Sequence, residues 1–210
     1  MKERPILFNG EMVRAILEGR KTQTRRLVKS PLKFKNGLCW DVQNDEAFGA
    51  QYGKTFFCDS PYGVQGDRFW VRETWAIQDC GSRVGISKEH WPDGFPVSRV
   101  RYPATDPAPN SSEGRHHWWN KRPSIHMPRW ASRINLEVLS VRVERIQDIY
   151  EEDAKAEGIK LMGWKLLENG VSRDYTHRDH FEALWQTIYG DDAWTKNPWV
   201  WVIEFKKIQP

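Results

Sequence analysis

The sequence predicts an α+β fold that is mainly β, a small barrel or strongly curved sheet with short flanking helices and long loop insertions. About five segments of the 210-residue chain have a strand pattern, and strands and helices do not alternate regularly as in a doubly wound fold. The pattern contains no internal repeat and no second hydrophobic core of domain size. We therefore expect one domain over residues 1–210, with insertions at about 31–60 and 78–122.

The N-terminal part of the sequence predicts a strand, a helix and a second strand. Residues 5–8 form a short apolar run that ends in an Asn-Gly turn. Residues 11–18 carry apolar side chains at helical spacing, and Gly19 follows the last of them, where helices commonly end. Residues 22–28 combine threonines with a Leu-Val pair before a Ser-Pro step, which predicts a strand.

The middle of the chain predicts one strand between the two insertions. Residues 31–60 are rich in Gly, Asn, Asp and Lys, so we expect loops with a hairpin around Gly37. Residues 66–75 predict a strand with a charged pair near its end. Residues 78–122 are too long for an ordinary loop, and we interpret them as an inserted lid with short β pieces such as 97–102.

The C-terminal part predicts two strands and two helices. Residues 136–146 alternate apolar and polar side chains over the length of a long strand. Residues 149–157 predict a helix closed by Gly158, and residues 176–188 predict an amphipathic helix. Residues 197–205 are almost continuously apolar and predict a final buried strand.

Composition narrows the class of protein. The N-terminus has no apolar leader and no run approaches membrane-spanning length, so we expect a soluble cytoplasmic protein. The three cysteines, Cys39, Cys58 and Cys80, are an odd number without a CxxC pair, which favours free thiols in a reducing compartment over a zinc site. The net charge of +4 says little alone, but 12 tryptophans together with many arginines suit unstacked bases and phosphates. The alternative is that these tryptophans build a β-rich core.

Four motifs in order carry a family resemblance. Residues 19–26, GRKTQTRR, place an amine, two hydroxyls and three guanidinium groups at a predicted helix-to-strand junction. The other three are GDRFWVRE at 66–73, PSIHMPRWASR at 123–133 and NPWVWVIEF at 197–205. Together they resemble the activating signal cointegrator homology (ASCH) domain family, in particular its larger bacterial and phage-type members. The resemblance covers most of the chain and treats the two insertions and residues 160–175 as embellishments.

The resemblance implies a PUA-like β-barrel whose cleft binds RNA or a modified nucleoside. Some small relatives are amidohydrolases that remove the acetyl group of N4-acetylcytidine, and their lysine, threonine and glutamate fall on Lys21, Thr24 and Glu73. Several relatives that bind or cleave RNA carry an acidic residue at the position of Thr24, so the threonine favours the amidohydrolase pattern. This chain departs from the deacetylating members by being much longer, which leaves the substrate open.

The chemistry of these three residues leaves several schemes open. Thr24 can supply a hydroxyl nucleophile that an amine activates, provided that burial or neighbouring arginines lower the pKa of Lys21. Glu73 could shuttle a proton to the leaving amine, bind the base edge of cytosine, or position a water while a charged Lys21 stabilises the oxyanion. Because Lys21 and Thr24 are three residues apart, they would face opposite sides of a regular strand. The scheme therefore requires a bulge, twist or turn near Thr22.

Further substrate contacts are predicted from arginines, tryptophans and a serine: Arg26, Arg72, Trp75, Arg129, Trp130, Ser132 and Arg133. The arginines would contact phosphate or carboxylate, the tryptophans would stack on a base, and the serine would donate a hydrogen bond. Structural salt bridges, core packing and a turn are the competing roles. We expect no cofactor and no metal, since His177 and His180 lack an evident third ligand.

The leading hypothesis is thus a protein that binds RNA or a modified nucleoside in a basic cleft and hydrolyses the N4-acyl amide of acylated cytidine. One alternative is a non-catalytic RNA-binding module. Another is a metal-independent ribonuclease, in which Lys21 and the arginines would stabilise a phosphorane. A membrane partner is not expected.

Overall fold

A computed structural model describes residues 1–28, 32–33, 39–40, 60–79, 100–106, 118–161, 163–166 and 172–209. The predictions for Cys58, Cys80 and residues 97–99, and most of the two insertions, lie outside these residues. The described residues form mostly β-sheet with a few helices, which confirms the coarse α+β class. No helix among them has the length and apolar character that crossing a bilayer requires.

The strands are numbered in chain order. They are β1 (Glu3–Leu7), β2 (Gln23–Leu27), β3 (Leu32–Lys33), β4 (Cys39–Trp40), β5 (Arg68–Arg72), β6 (Trp75–Asp79), β7 (Val100–Arg101), β8 (Trp118–Arg122), β9 (Asn135–Arg145), β10 (Trp164–Leu166), β11 (Ser172–Asp174) and β12 (Trp199–Ile208). The α-helices are α1 (Gly10–Leu17), α2 (Glu151–Ala156) and α3 (His177–Tyr189), and short 3-10 helices cover Ser124–His126, Arg129–Ala131 and Ile146–Asp148.

The central sheet has five strands in the order β1-β5-β9-β12-β2. β1 and β5 are parallel, and every other neighbouring pair in this sheet is antiparallel. Three smaller sheets accompany it, with the orders β7-β6-β8, β3-β4 and β10-β11. The antiparallel β3-β4 pair agrees with the predicted hairpin, whose tip around Gly37 lies outside the described residues.

Hydrophobic side chains fill both faces of the central sheet. One face packs against α1 through a cluster that includes Phe8, Val13, Ile16 and Phe205. On the opposite face, α2 and α3 contribute Ala154, Phe181 and Trp185 to a second cluster with Val200 and Val202 of β12. β12 contributes alternate side chains to the two clusters and is buried from Val200 to Ile203 and at Phe205. Burial of these apolar surfaces is the dominant stabilising contribution.

Strong local signals explain the two amphipathic helices. Asn9 caps α1 by accepting a hydrogen bond from the Met12 N–H at 2.8 Å. Thr176 and Asp179 form a reciprocal capping box at the start of α3. Both helices lie where their hydrophobic spacing predicts them.

The edges of the central sheet, β1 and β2, are not paired with each other, so the described strands do not form a closed barrel. The two edge strands nevertheless approach at one end, because the Arg26 Nη2 donates to the Leu7 carbonyl at 2.7 Å. The sheet is therefore bridged at that end by one side chain rather than by a ladder of backbone hydrogen bonds.

One predicted strand is divided in the structure. The segment 66–75 forms β5 and β6 with a break at Glu73 and Thr74, because β5 belongs to the central sheet whereas β6 pairs with β7 and β8. At the break, the Glu73 N–H meets the sulfur of Met127 at 3.4 Å. The chain thus changes sheets next to a predicted site residue.

Candidate functional site

The loop between α1 and β2 is fixed by backbone hydrogen bonds on both sides. Gly19 takes a positive φ of 76°, and the N–H groups of Arg20 and Lys21 both donate to the Ala15 carbonyl, at 2.9 and 3.0 Å. Thr22 then donates to the Ala156 carbonyl at 2.8 Å. The end of α2 therefore holds the start of β2, although the two are far apart in sequence.

Gly158 makes this close approach feasible. Its φ is +84°, and a Cβ at this position would lie 2.8 Å from the Ala15 Cβ and 2.9 Å from the Lys21 Cβ. The Gly158 carbonyl also accepts from Arg20 Nη1 at 2.6 Å. Only glycine combines the positive φ with the lack of a side chain that this packing requires.

The Lys21 ammonium is buried and fully hydrogen-bonded. The residue is 2 % exposed, and its Nζ donates to the Gln23 carbonyl at 2.9 Å, to the Glu157 carbonyl at 2.9 Å and to Glu157 Oε2 at 2.6 Å. These three bonds use all three of its protons. Burial lowers the pKa of Lys21, Glu157 partly offsets this effect, and the positive charges of Arg26 and Arg25 lower the pKa further.

Lys21 and Thr24 belong to differently paired segments. Lys21 forms an isolated bridge with Glu157, whereas β2 begins only at Gln23, and Thr24 pairs with Ile203 of β12. The opposite-face rule for a regular strand therefore does not apply to these two residues. The ammonium contacts the carbonyl of Gln23, which is the peptide group directly before Thr24.

The Phe8 ring lies close to two of the predicted cationic groups. Lys21 Nζ is 5.8 Å from its ring centroid, and the Arg26 guanidinium is 5.5 Å from it. Thr24 and Arg26 are two residues apart in β2, so their side chains share one face of the strand. The structure thus places the cationic groups of Lys21 and Arg26 beside Phe8.

A cavity of about 340 Å³ opens beside this group. It lies between α1, β2, the turn after α2 and one face of α3. Thr24 and Arg26 line it together with Glu157, and α3 contributes the aromatic side chains of Phe181 and Trp185. This volume falls within the range of small-molecule sites, roughly 300–1,000 Å³. Its wall combines apolar rings with charged groups of both signs.

Arg25 connects Glu157 to further carboxylates on the opposite face of β2. Its Nη1 is 3.5 Å from Glu157 Oε1, and its Nη2 is 3.1 Å from Asp153 Oδ2 and 3.5 Å from Glu144 Oε2. Its side chain is fully buried. Both oxygens of Glu157 therefore face cations, Lys21 on one side and Arg25 on the other.

Glu73 lies in a different buried cluster. It is 1 % exposed, and both of its oxygens accept from Arg133, at 2.9 and 3.0 Å. The Arg133 guanidinium in turn lies 4.0 Å from the centroid of the Tyr102 ring. Burial raises the pKa of Glu73, and Arg133 offsets part of that rise. Within the described residues, Glu73 and Lys21 are not hydrogen-bonded to each other, since each is engaged by another partner.

The remaining predicted contact residues mostly have protein partners near the Glu73 cluster. Arg72 donates to the carbonyls of Met127, at 3.1 Å, and Ile125. Ser132 Oγ donates to the Val71 carbonyl at 2.8 Å. The structure therefore gives both residues a role in holding the end of β5.

Of the two tryptophans and Arg129, Trp130 and Arg129 are exposed, whereas Trp75 is buried. Trp75 is fully buried, and the centroid of its ring lies 5.9 Å from that of Trp130, with the two rings perpendicular. Trp130 is itself 37 % exposed. Arg129 forms an ion pair with Glu3 at 3.1 Å. Of the two tryptophan rings, that of Trp130 is the one that solvent reaches.

Sequence reasoning identified the helix that ends before Gly158 but did not identify Glu157 as the partner of Lys21. The 136 positions that separate them hide the pairing from any local pattern. The only local signal is a glutamate at the end of a short helix, immediately before a glycine.

The two candidate metal-ligating histidines, His177 and His180, contact different partners. His177 Nδ1 contacts Glu151 Oε1 at 2.7 Å, and the His180 ring lies 4.9 Å from that of Tyr175. Among the described residues, no group of three or more His, Cys, Asp or Glu side chains is arranged to hold a metal ion.

Comparisons of the chain with protein-family models, with curated proteins and with solved structures give no match. The assignment of a function therefore depends on the motifs in the sequence and on the geometry of the cavity.

Proposed function

We propose that this chain is an ASCH-type protein of the PUA-like superfamily that binds a modified nucleoside in the cavity beside Thr24 and hydrolyses the N4-acyl amide of acylated cytidine. The observation that carries the proposal is the buried amine of Lys21, held against the peptide group that precedes the cavity-lining Thr24. A lysine whose pKa is lowered by burial can act as a base towards a neighbouring hydroxyl.

The approach of the two edge strands supports the finer fold assignment. A PUA-like barrel requires these strands to come together, and the Arg26–Leu7 hydrogen bond spans them. In the proposed barrel, this hydrogen bond joins the two strands, β1 and β2, whose pairing would close the sheet. The same arginine would then serve both the fold and the wall of the cavity.

In the proposed reaction, the Thr24 oxygen attacks the acyl carbonyl carbon after transferring its proton to neutral Lys21. The aromatic wall formed by Phe181 and Trp185 would contact the pyrimidine ring, and Arg26 would contact polar groups of the substrate. The carbon–nitrogen bond then breaks and leaves an acyl ester on Thr24, which water hydrolyses.

The test is turnover of N4-acetylcytidine by the purified protein, followed by chromatography of the cytidine formed. We expect Lys21→Ala and Thr24→Ala each to reduce turnover to background. Lys206→Ala is the matched control, because Lys206 is an exposed lysine whose ion pair, among the described residues, is with Glu137. Absence of turnover by the wild-type protein would remove the hydrolytic proposal.

A non-catalytic RNA-binding module is the second candidate, and one observation favours it. All three protons of Lys21 are already engaged, as expected for a lysine with a purely structural role. Salt-dependent binding of single-stranded RNA without product would support this alternative. Chelator-insensitive cleavage of labelled RNA, lost in Lys21→Ala, would instead support a ribonuclease.

A further inference from the structure

We infer that Glu157, rather than Glu73, is the carboxyl group that moves protons in the proposed hydrolysis. This inference rests on the proposed function and extends it to a residue that the four motifs do not contain. It depends on two features of Glu157, its contact with Lys21 and its place in the cavity wall, and on the contrast with the partner of Glu73.

Glu157 meets two requirements of a proton carrier, a contact with the amine and a place in the cavity wall. Its Oε2 is 2.6 Å from Lys21 Nζ, and the residue lines the cavity, whereas Lys21 is not part of the cavity wall. A proton can therefore pass from the amine to the carboxylate, and from the carboxylate to a bound substrate. The Thr22 N–H donates to the Ala156 carbonyl and Arg20 Nη1 donates to the Gly158 carbonyl, so hydrogen bonds hold the residue on both sides.

Glu73 meets neither requirement. Its oxygens are both bound by Arg133, and it does not belong to the described lining of the cavity. An arginine does not give up its proton under ordinary conditions, so the Glu73–Arg133 pair cannot exchange a proton internally.

The Lys21–Glu157 pair can exist in two forms with the same net charge. In one, an ammonium faces a carboxylate, and in the other, an amine faces a carboxylic acid. Arg25 and Arg26, from β2, are the other charged groups that influence the amine, and both disfavour its protonated form, while Arg25 also faces Glu157 Oε1 at 3.5 Å. The reactive form, an amine facing a carboxylic acid, therefore arises by transfer of one proton from Lys21 to Glu157. It requires no net uptake or loss of protons.

Starting from the neutral form, each proton has a defined destination. The Thr24 hydroxyl gives its proton to the Lys21 amine as its oxygen bonds to the acyl carbon. Glu157 then gives its proton to the leaving nitrogen as the carbon–nitrogen bond breaks. In the second half, Glu157 takes a proton from the attacking water, and Lys21 returns its proton to the Thr24 oxygen. The cycle ends with the free acid, the free amine-bearing nucleoside and the neutral pair restored.

The experiment compares Glu157→Gln with the wild-type protein on two acyl donors. N4-acetylcytidine has a leaving amine that requires protonation, whereas p-nitrophenyl acetate has a leaving group that departs without it. We expect Glu157→Gln to lose about 100-fold or more of its amide turnover. The initial burst of p-nitrophenol should stay within about 5-fold of wild type, and an acetyl group should remain on Thr24 by peptide mass spectrometry. The retained burst also shows that the variant is folded.

Glu73→Gln is the matched comparison, and Glu157→Asp is the conservative variant in case Glu157→Gln does not fold. Glu157→Asp keeps a carboxyl group, so its ratio of amide to ester turnover should stay close to wild type. Equal losses of Glu157→Gln on both donors would reduce Glu157 to a structural role and overturn the inference. Unchanged amide turnover in Glu157→Gln, or selective amide loss in Glu73→Gln, would overturn it while leaving the proposed function intact. Absence of wild-type turnover on the amide would remove the function and the inference together.

Discussion

Two buried glutamates, Glu157 and Glu73, each meet a cation, but the cations differ in chemistry. Lys21 is a compact ammonium that burial can deprotonate, whereas Arg133 is a planar guanidinium that keeps its charge. The first pair lies beside a cavity, and the second ties β5 to the segment before β9. The comparison teaches that two buried carboxylates differ in chemistry, because only the one beside a lysine has a partner that can release a proton.

Burial separates the two pairs as well. The side chains of Lys21 and Glu157 are 0 % and 5 % exposed, whereas that of Arg133 is 26 % exposed. Water can therefore solvate the Arg133 guanidinium but hardly reaches the Lys21 ammonium. The consequence is that loss of the carboxylate should be more costly at Glu157 than at Glu73.

The largest expected effect is that of Glu157→Ala on stability. Removing the carboxylate leaves the Lys21 ammonium buried without its counter-charge, so we expect a loss of about 3–5 kcal/mol in the free energy of unfolding. Urea denaturation followed by circular dichroism measures it. Glu73→Ala is the control and should cost about 1–3 kcal/mol, because the Arg133 guanidinium then reaches solvent and still contacts Tyr102. A cost at Glu73 equal to that at Glu157 would contradict the distinction between the two pairs.

The next effect concerns the glycine that positions Glu157. Gly158→Ala adds a methyl group that would overlap Ala15 and Lys21 while φ is positive, so we expect a loss of about 2–4 kcal/mol and reduced amide turnover. Thermal and urea unfolding measure the stability change.

Gly19→Ala provides the matched control for this substitution. Gly19 also has a positive φ, +76°, but no described atom outside its own chain neighbours lies within 4 Å of the position that a Cβ would take there. We expect a loss of only about 1–2 kcal/mol, from backbone strain alone. Equal losses at the two glycines would show that close packing against Lys21 contributes little.

The fold was predictable where a local pattern repeats over many residues. The segments 11–18, 136–146 and 176–188 correspond to α1, β9 and α3, because each shows two or more turns or alternations against a buried face. The division of 66–75 into two strands was not predictable. It depends on which sheet each half joins, and that choice is made by pairing with β8 and β9 far along the chain.

The site was predictable only in part for the same reason. Lys21, Thr24 and Arg26 lie within one short segment, so the motif alone groups them. The structure places Lys21 and Arg26 beside Phe8, and Thr24 and Arg26 in the wall of one cavity. Glu157 reaches Lys21 only because α2 packs against the start of β2. A contact made by tertiary packing leaves no spacing in the sequence from which it could be read.

The smallest expected effect concerns a third pair, Asp67 with Arg4, whose side chains are 8 % and 28 % exposed, and it tests whether burial alone sets the stability cost of losing a carboxylate. The Lys2 N–H and then Arg4 lower the pKa of Asp67 to about 2. This carboxyl group therefore stabilises the folded state above its unfolded pKa near 3.8, and the contribution is lost as pH falls from there towards 2. Asp67→Asn should cost about 1 kcal/mol at about pH 5 and progressively less below about pH 4, measured by urea unfolding across that range. Asp192→Asn, which disrupts a fully solvated pair with Lys196, should change nothing measurable. A larger cost at Asp67 than at Glu73 would show that hydrogen bonds from the backbone, rather than depth of burial, rank the three pairs.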